Sequence, residues 1–390
     1  MSSFYAIASR LAGPGIGTTA FHAAHGIWRA GLLDRLVTLG HEPTPISEQV
    51  ISDVWFPPRG ALSFLDDKKF YWLKNRRFDR VCRRQLRPEH RVVHLWNSQA
   101  TQSARAAKKT GRKLIIDRAS THIRIQTSIL TEAYARYGID YHPTYQETMD
   151  RCLEEYELAD LVLTPSPASY RSFTQTGFNM SKVALCPFGV TLERFMPRQT
   201  PPDNFRAIFV GQLGVRKGVL TLLEAWDKAK LPGELWLAGG AEPVIGDHLK
   251  PWRDRADIRW LGFRGDIADL MRQSSVFVFP SLEEGSALVT YEAMACGLPL
   301  IVTAEAGSVA RDGLDGVIVK PQDPEALAAA LTELAQDKNR AWDMGLAARR
   351  RIESFPWTGY GDRVALAHRM LAEGADGRAI DQALMNNRPN

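Results

Sequence analysis

The sequence predicts an α/β protein of two domains, each built on a parallel sheet covered by helices. The chain has 390 residues, more than twice the usual length of a domain, so two domains are the default expectation. Apolar runs that alternate with amphipathic stretches are typical of parallel sheets buried on both faces. Ten such runs begin at Phe4, Arg91, Lys113, Leu161, Ala207, Leu235, Ile258, Val276, Leu300 and Val317.

A change of composition marks the boundary between the domains. Residues 195–204, FMPRQTPPDN, contain three prolines and no periodicity, which is typical of a linker. We therefore predict an N-terminal domain over 1–194 and a C-terminal domain over 204–355. The remaining residues, 356–390, are predicted to form one helix from Gly359 and a polar, loose tail after Gly374.

Three stretches of the C-terminal half have clear helical periodicity, at 218–229, 325–336 and 341–353. Pro324 precedes the second of them, and proline suits the first turn of a helix because its missing N–H has no partner there.

Composition narrows the class of protein. Hydrophobic residues make up 45% and charged residues 24% of the chain, as in ordinary globular proteins. The four cysteines lie far apart, which fits a reducing compartment. We expect a cytoplasmic protein, because the N-terminus lacks a signal-peptide layout and no apolar run approaches the roughly 18–20 residues of a membrane span. The net charge of only +5, without a recognition motif, argues against a nucleic-acid partner.

Residues 68–91, KKFYWLKNRRFDRVCRRQLRPEHR, form a strongly basic segment. Its ten cations are interleaved with aromatic and aliphatic side chains. One interpretation is a solvated helix on the surface of the N-terminal domain. The other is an interfacial helix that binds anionic lipid at the inner face of the cell membrane.

A glycine-rich turn, GPGIG at 13–17, follows the first predicted strand and precedes a helical stretch. Gly15 and Gly17 would let backbone amides approach a phosphate at the positive end of that helix. An ordinary tight turn is the alternative, since the spacing is not the GxGxxG of a dinucleotide fold.

A second stretch, FVGQLGVRKG at 209–218, places two adjacent cations at a strand end. The strand is predicted to end at Gly211, and Arg216 and Lys217 precede the next helix. Open α/β sheets bind ligands at the carboxyl ends of their strands. An arginine fork next to a lysine point charge suits a diphosphate.

A third stretch, EEGSALVTYEAMACG at 283–297, contains three carboxylates, Glu283, Glu284 and Glu292. We predict a strand to Pro280, a loop over 281–286 and a helix over 287–295. Eight positions along a helix rise about 12 Å, too far for the carboxylate pair of a glycosidase. Free amides from Ser286 through Ala287 and Leu288 to Val289 are instead expected to bind phosphate. Glu283 is expected to face solvent.

Residues 280–299, PSLEEGSALVTYEAMACGLP, resemble the E-x7-E signature of the retaining glycosyltransferases of family 4, which have the GT-B fold. FVGQLGVRKG is similar to the donor-diphosphate loop of that family. The pieces before the linker also stand in the family's order: the glycine turn, then ELADLVLTPS from Glu157, then KVALCPFGVTLERF from Lys182. The resemblance covers nearly the whole chain and is strongest from about 150 to 320. It implies two Rossmann-like domains whose sheets face a central cleft, with the acceptor in the N-terminal domain, the donor in the C-terminal domain and the last helix returning to the N-terminal one.

The resemblance also implies roles for particular residues. Arg216 and Lys217 would stabilise the leaving nucleoside diphosphate, Glu284 would contact the donor sugar and Glu292 the ribose. His122, in DRASTH at 117–122, resembles the histidine that faces the donor sugar, although a histidine taken alone is more often packed or solvated.

Three positions depart from the family's pattern. Ser286 and Ala287 stand where phenylalanine and glycine are frequent, and Gln212 stands where arginine is frequent. These departures concern sugar preference and donor binding, and leave the Arg–Lys and Glu–Glu elements intact.

No metal or cofactor is predicted besides the nucleotide sugar as co-substrate. His22 and His25 share a helical face but lack a third ligand, and Asp66 and Asp67 do not form a D-x-D motif.

The predicted function is metal-independent, retaining transfer of a sugar to a hydroxyl of a saccharide or lipid-linked acceptor, in bacterial polysaccharide or glycolipid biosynthesis. A nucleotide-sugar epimerase of the same fold, a catalytically silent nucleotide-sugar-binding protein and an NAD-dependent oxidoreductase are the alternatives.

Overall fold

A computed structural model describes residues 2–386, and they fall into two compact units. The first unit comprises residues 2–125, 144–188 and 357–386. The second comprises residues 126–143 and 189–356. After its first passage through the second unit, at 126–143, the chain enters that unit again at Gly189, before the proline-rich stretch, and returns to the first unit at Trp357.

The first unit contains a seven-stranded parallel sheet with the order β3-β2-β1-β4-β5-β6-β7. Its centre is buried on both faces, and Tyr5 of β1 pairs with Leu36 on one side and His94 on the other. The strands are β1 Ser2–Ala6, β2 Leu33–Thr38, β3 Ile51–Asp53, β4 His90–Trp96, β5 Lys113–Asp117, β6 Leu161–Thr164 and β7 Val183–Leu185.

The second unit contains a six-stranded parallel sheet with the order β10-β9-β8-β11-β12-β13. Strands β8 and β11 are neighbours, so the loops that follow them leave the same edge of the sheet side by side. The strands are β8 Phe205–Val210, β9 Gly233–Ala238, β10 Ile258–Gly262, β11 Val276–Phe279, β12 Leu300–Thr303 and β13 Gly316–Val319.

Thirteen α-helices cover the two sheets within residues 2–386, and none of them is long and apolar enough to cross a membrane. They are α1 Ile16–Arg29, α2 Asp67–Gln85, α3 Thr101–Lys109, α4 Ile123–Ala135, α5 Gln146–Leu158, α6 Pro167–Gln175, α7 Val219–Ala229, α8 Ile267–Arg272, α9 Leu288–Ala295, α10 Pro324–Gln336, α11 Lys338–Glu353, α12 Trp357–Ala372 and α13 Gly377–Asn386.

All ten strands expected from apolar runs are present, and the three periodic helices correspond to α7, α10 and α11. Strands β2, β3 and β7 were not expected. They lie at or next to an edge of the first sheet, β3 and β7 have only three residues each, and β2 carries Asp34 and Arg35. Such strands need no continuous apolar run, because part of their surface meets solvent.

The prediction of a loose tail after Gly374 is wrong for residues 377–386, which form α13. Ile380 and Leu384, one helical turn apart, are fully buried, and the Asp381 carboxylate accepts a hydrogen bond from the Leu185 amide of β7 (2.8 Å). The helix therefore packs on an edge strand of the first sheet. Residues 387–390 of the predicted tail lie outside the described residues.

Helix α12 packs along α1 within the first unit at a pair of glycines. A Cβ added at Gly26 would overlap the backbone of Gly361. Further along α12, the buried His368 Nε2 lies 3.0 Å from Nδ1 of His94 in β4, whose Nε2 lies 2.8 Å from Asp117. The helix is thus held by close backbone packing and a buried polar chain.

Candidate active site

Two loops of the second unit meet at the carboxyl edge of its sheet. The first runs from Gly211 to Gly218 between β8 and α7, and the second from Pro280 to Ala287 between β11 and α9. Gly218 has a φ of 73°, and a Cβ there would overlap the carbonyl oxygen of Pro280. A glycine is required because the two backbones touch at this point.

Arg216 holds the second loop through its backbone and its side chain. Its carbonyl oxygen accepts hydrogen bonds from the Leu282 amide (2.9 Å) and the Ser281 hydroxyl (3.0 Å). Its Nε donates to the carbonyl oxygen of Glu283 (3.0 Å). The guanidinium therefore cannot move without the loop that carries the two glutamates.

Four charged side chains form one cluster across these loops. Arg216 Nε lies 3.1 Å from Oε2 of Glu283, and Arg216 Nη2 lies 3.5 Å from Oε2 of Glu284. Lys217 Nζ forms an ion pair with Oε1 of Glu284. The predicted site residues Arg216, Lys217 and Glu284 are thus brought together, with Glu283 as a fourth member.

The prediction that Glu283 faces solvent is wrong. Its side chain has no exposed surface, against 10% for that of Glu284. Its carboxylate faces Arg216 and also accepts a hydrogen bond from Gln126 Nε2 (3.1 Å). Adjacent glutamates cannot be told apart by residue type, and the hydrogen bonds of the loop backbone decide which one points inward.

Burial and charge oppose each other in this cluster. Burial lowers the pKa of Lys217, and Glu284 only partly offsets that effect. For Arg216 burial also lowers the pKa, but Glu284 and Glu283 outweigh it and the pKa is raised. An incoming anion would compete with the two carboxylates for the same N–H donors.

The start of α9 differs in part from the expectation of four free amides. The Ala287 amide donates to the carbonyl oxygen of Ala306 (3.0 Å), so it is not free. The Ser286 hydroxyl donates to the carbonyl oxygen of Gly307 (2.9 Å). Leu288 and Val289 are the first two residues of α9, and their amides have no acceptor within the helix.

Glu292 lies in α9 and is half-buried. Burial raises the pKa of its carboxyl group to about 7, against the opposing charge of Arg194. The charged and neutral forms are therefore close in free energy near neutral pH, and a hydrogen-bonding ligand can shift the balance.

A cavity of about 430 Å³ opens at the carboxyl ends of β8, β9 and β10. Its wall is largely glycine-rich backbone, including Gly211, Gly239 and Gly240, and a Cβ at Gly239 would overlap the carbonyl oxygen of Gly211. The Phe263 side chain, 94% exposed, stands beside it. Sequence reasoning missed Phe263. The sequence feature that could have indicated Phe263 is an aromatic residue in the loop after a strand, LGFRG at 261–265, with a glycine on each side of the Phe-Arg pair.

His122 belongs to the first unit and is buried there. Its ring lies 5.0 Å from that of Tyr156 and 4.9 Å from that of Phe173, and its Nδ1 accepts a hydrogen bond from the Arg124 amide (3.3 Å). Burial, with the charges of Arg118 and Arg124, lowers its pKa to about 4. His122 is therefore neutral at pH 7, with the proton on Nε2.

The glycine turn of the first unit is tight. Gly15 is exposed with a φ of 69° and caps α1, whereas Gly17 lies inside the first turn of that helix. A Cβ at Gly17 would overlap the carbonyl oxygen of Arg10. The packing at Gly17 is therefore with the protein's own backbone, and the open position is Gly15.

Two of the side chains considered as metal ligands, those of His22 and Asp66, make contacts of another kind. His22 stacks on Trp357 with ring centroids 4.3 Å apart, and burial lowers its pKa to about 4. Asp66 caps α2 by accepting a hydrogen bond from the Lys69 amide (2.7 Å). Within residues 2–386, no group of three or more His, Cys, Asp or Glu side chains is arranged to hold a metal ion.

Comparison with known proteins places this geometry in context. Residues 204–337 match the family model described as "Glycosyl transferases group 1". The D-inositol 3-phosphate glycosyltransferase of Paenarthrobacter aurescens is 29% identical over an alignment of 204 residues, and the match covers 46% of this chain and 50% of that protein. The chain thus spans about half the length of this curated relative.

Solved structures extend the likeness to nearly the whole chain. Sucrose-phosphate synthase from Thermosynechococcus elongatus matches with a TM-score of 0.71 at 20% identity, covering 95% of this chain and 98% of that one. Anabaena HepE in complex with UDP and glucose matches with a TM-score of 0.65 at 18% identity, covering 94% and 98%. The expected fold of two Rossmann-like domains is confirmed, and the epimerase and silent-binding alternatives are not favoured.

Proposed function

Residues 204–337 match the model of the group 1 glycosyl transferases and the fold is GT-B, and we propose from this premise that the chain transfers a sugar from a nucleoside-diphosphate sugar to an acceptor hydroxyl. The observation that carries the proposal is the cluster of Arg216, Lys217, Glu283 and Glu284 at the carboxyl edge of the second sheet. Two adjacent cations beside a helix start match the charge and shape of a diphosphate.

The donor would lie along the two loops of the second unit. The cavity beside Phe263 takes the nucleobase, Glu292 accepts hydrogen bonds from the ribose, and the diphosphate lies against Arg216, Lys217 and the first amides of α9. UDP is the nucleotide named for the HepE structure, which supports a nucleoside diphosphate here. Glu284 then contacts the hydroxyls of the donor sugar.

Charge develops on the leaving diphosphate when the bond between the sugar's anomeric carbon and the phosphate oxygen breaks. Arg216 and Lys217 stabilise that charge, an effect of about 3–4 kcal/mol for one well-placed donor. The proposal assigns this role to the two cations rather than to a metal ion, and it requires no cofactor.

Retention of configuration would follow from attack on the face that the diphosphate leaves. The acceptor oxygen forms the new bond to the anomeric carbon, and its proton passes to a phosphate oxygen of the leaving group. No protein nucleophile is needed. We propose His122, which is neutral at pH 7, as an Nε2–H donor in the transfer and not as a base.

The acceptor is proposed to be a saccharide or a lipid-linked saccharide of bacterial polysaccharide or glycolipid biosynthesis, with the enzyme in the cytoplasm and in contact with the membrane. Helix α2 supports this placement, because it exposes a row of arginines and the side chain of Leu73. Phe70 and Phe78 are buried in the first unit and are not available to lipid. Flotation with anionic and neutral vesicles tests it, and binding without dependence on anionic lipid contradicts it.

Substitution of the cations tests the function itself. A thermal-shift screen of nucleotide sugars first identifies the donor, since a ligand that binds the folded state raises its stability. Arg216→Ala and Lys217→Ala are then expected to lower turnover by about two or more orders of magnitude without loss of folding. Lys228→Ala is the matched control, because Lys228 is an exposed lysine of α7 whose ion pair with Glu325 lies outside the site. Near-normal turnover in both site variants would contradict the proposal.

A further inference from the structure

The backbone turn that carries His122 is held by the side chain of Arg118. Residues 118–122 follow β5 at the carboxyl edge of the first sheet, and His122 directly precedes α4. Arg118 is buried, and its Nε donates a hydrogen bond to the carbonyl oxygen of Thr121 (2.7 Å), the residue before His122. The guanidinium therefore closes the turn at the peptide group that joins Thr121 to His122.

A chain of buried polar groups fixes the guanidinium of Arg118. Its Nη1 donates to Oδ1 of Asn97 (3.3 Å), and Nδ2 of Asn97 donates to the carboxylate of Glu155 (2.9 Å). Glu155 of α5 is buried and also accepts a hydrogen bond from the Thr101 hydroxyl at the start of α3 (2.6 Å). Because a planar guanidinium that donates from two nitrogens is held in one orientation, a lysine could not reproduce these contacts.

Helix α6 holds the other side of the same turn. The His122 amide donates to the Ser172 hydroxyl (2.7 Å), which donates to the carbonyl oxygen of Ser169 (2.5 Å). The Ser169 hydroxyl donates to the carbonyl oxygen of Ser120 (2.5 Å). These contacts fix the backbone of His122 without adding charge, whereas Arg118 both fixes the turn and places a cation beside the ring.

The imidazole of His122 lies among cationic and uncharged groups. Burial lowers the pKa of His122, and the charges of Arg118 and of Arg124, in the first turn of α4, lower it further. Tyr156 of α5 and Phe173 of α6 contact the ring and are uncharged. Because neighbouring cations oppose a second proton, the ring keeps a single proton and Nδ1 remains the acceptor for the Arg124 amide.

We propose that Arg118 is a positioning residue for His122: it fixes the peptide group before the histidine and opposes protonation of the ring, so that Nε2–H remains the hydrogen-bond donor. The inference rests on the proposed glycosyl transfer, in which His122 supplies that donor. Arg118 needs no contact with either substrate, because it acts through the Thr121 carbonyl and through its charge. A displacement of the ring by about 1 Å can lower the rate about a hundredfold.

Two variants of the full chain separate the effect of position from that of charge. Arg118→Lys keeps the charge and loses the forked contact, so kcat should fall about tenfold to a hundredfold while His122 titrates as in the wild type. Arg118→Met removes the charge, so the pKa of His122 should rise from about 4 toward 6.5, and the acid limb of the kcat profile should rise with it.

Histidine-labelled NMR measures the titration, and the spectrum of His122→Asn assigns the signal. Turnover is measured as the slow hydrolysis of the nucleotide sugar found by the thermal-shift screen, in which water replaces the acceptor. Arg171→Met is the matched control, because Arg171 is an exposed arginine of α6 in the same unit, and it should change neither quantity. Calorimetry should give the wild-type Kd for the free nucleoside diphosphate in all the arginine variants.

Wild-type kcat in Arg118→Lys, or an unshifted His122 titration in Arg118→Met, would overturn the inference while the proposed transfer stands. If Arg118→Met does not fold, the turnover of Arg118→Lys decides. If the wild type binds nucleotide sugar without hydrolysing it, the titration in Arg118→Met decides. If no nucleotide sugar binds the wild type, the proposed function itself fails, and the inference fails with it.

Discussion

The Nε atom of Arg216 lies 3.1 Å from Oε2 of Glu283, a carboxylate with no exposed surface. Arg216 also contacts Glu284, which is shared with Lys217. Each cation of the cluster is therefore oriented by a carboxylate, and Glu283 interacts with Arg216 and not with the solvent. Because Glu283 already orients the guanidinium, Arg216 needs little reorganisation when negative charge develops on the leaving diphosphate.

Glu283→Gln is expected to lower kcat about tenfold while the Kd for the nucleoside diphosphate does not rise. Glutamine keeps the size of the side chain but removes the charge that orients Arg216. It also removes a competitor for the incoming diphosphate, so affinity should hold or improve. Steady-state kinetics and calorimetry check the two quantities. Glu325→Gln, in an exposed ion pair with Lys228, is the control, and an unchanged kcat in Glu283→Gln would show that Arg216 needs no such positioning.

Phe263→Ala is expected to weaken binding of the nucleoside diphosphate by about tenfold, because stacking of a base on an aromatic ring contributes about 1–3 kcal/mol. The phenyl ring is 94% exposed beside the cavity at the ends of β8 to β10, so its removal should not affect folding. Calorimetric titration with the free nucleoside diphosphate measures the effect. Phe64→Ala, an equally large change at a 79% exposed ring of the first unit, should bind as the wild type does.

Glu292 predicts a dependence of stability on pH. Its pKa is about 7 in the folded protein and about 4.3 when exposed, so the folded state binds the extra proton between these values. Stability therefore falls as pH rises through this window. The stability of Glu292→Gln should depend less on pH, because glutamine does not titrate. The free energy of unfolding of this variant minus that of the wild type should therefore increase by on the order of 1 kcal/mol from pH 4.5 to pH 8. Denaturant titrations at the two pH values measure this difference, and a constant difference would contradict the expectation.

Much of the site in the second unit could be predicted from the sequence, because the order of strands in a parallel sheet brings particular loops together. The loops with Arg216 and Glu284 follow β8 and β11, which are neighbours, and parallel strands place their carboxyl ends at one edge. Lys217 and Glu284, 67 positions apart in sequence, could therefore be assigned to one site. The burial of the Glu283 side chain could not be predicted from the sequence, because it depends on hydrogen bonds of the loop backbone.

The first unit was harder to predict. Its edge strands β3 and β7 are too short for a periodic signal, and α13 has few buried positions in a polar stretch. A cavity of about 560 Å³ lined by Trp72 of α2 and Arg151 of α5 depends on how these two helices lie in the first unit, and that arrangement has no sequence motif. The basic pattern of α2 predicted the helix, but not that Phe70 and Phe78 would be buried.

The contact between α1 and α12 gives a final prediction, about stability. A methyl group at Gly26 would overlap the backbone of Gly361, so Gly26→Ala must push the two helices apart. We expect a loss of about 1–3 kcal/mol, as for other overpacked sites, and a lower melting temperature in calorimetry. Gly60→Ala is the matched control, because a Cβ there meets nothing within 4 Å. Equal melting temperatures for the two variants would mean that α12 can shift along α1 at no cost, and that the buried chain from His368 to Asp117, rather than the glycine contact, holds the helix in the first unit.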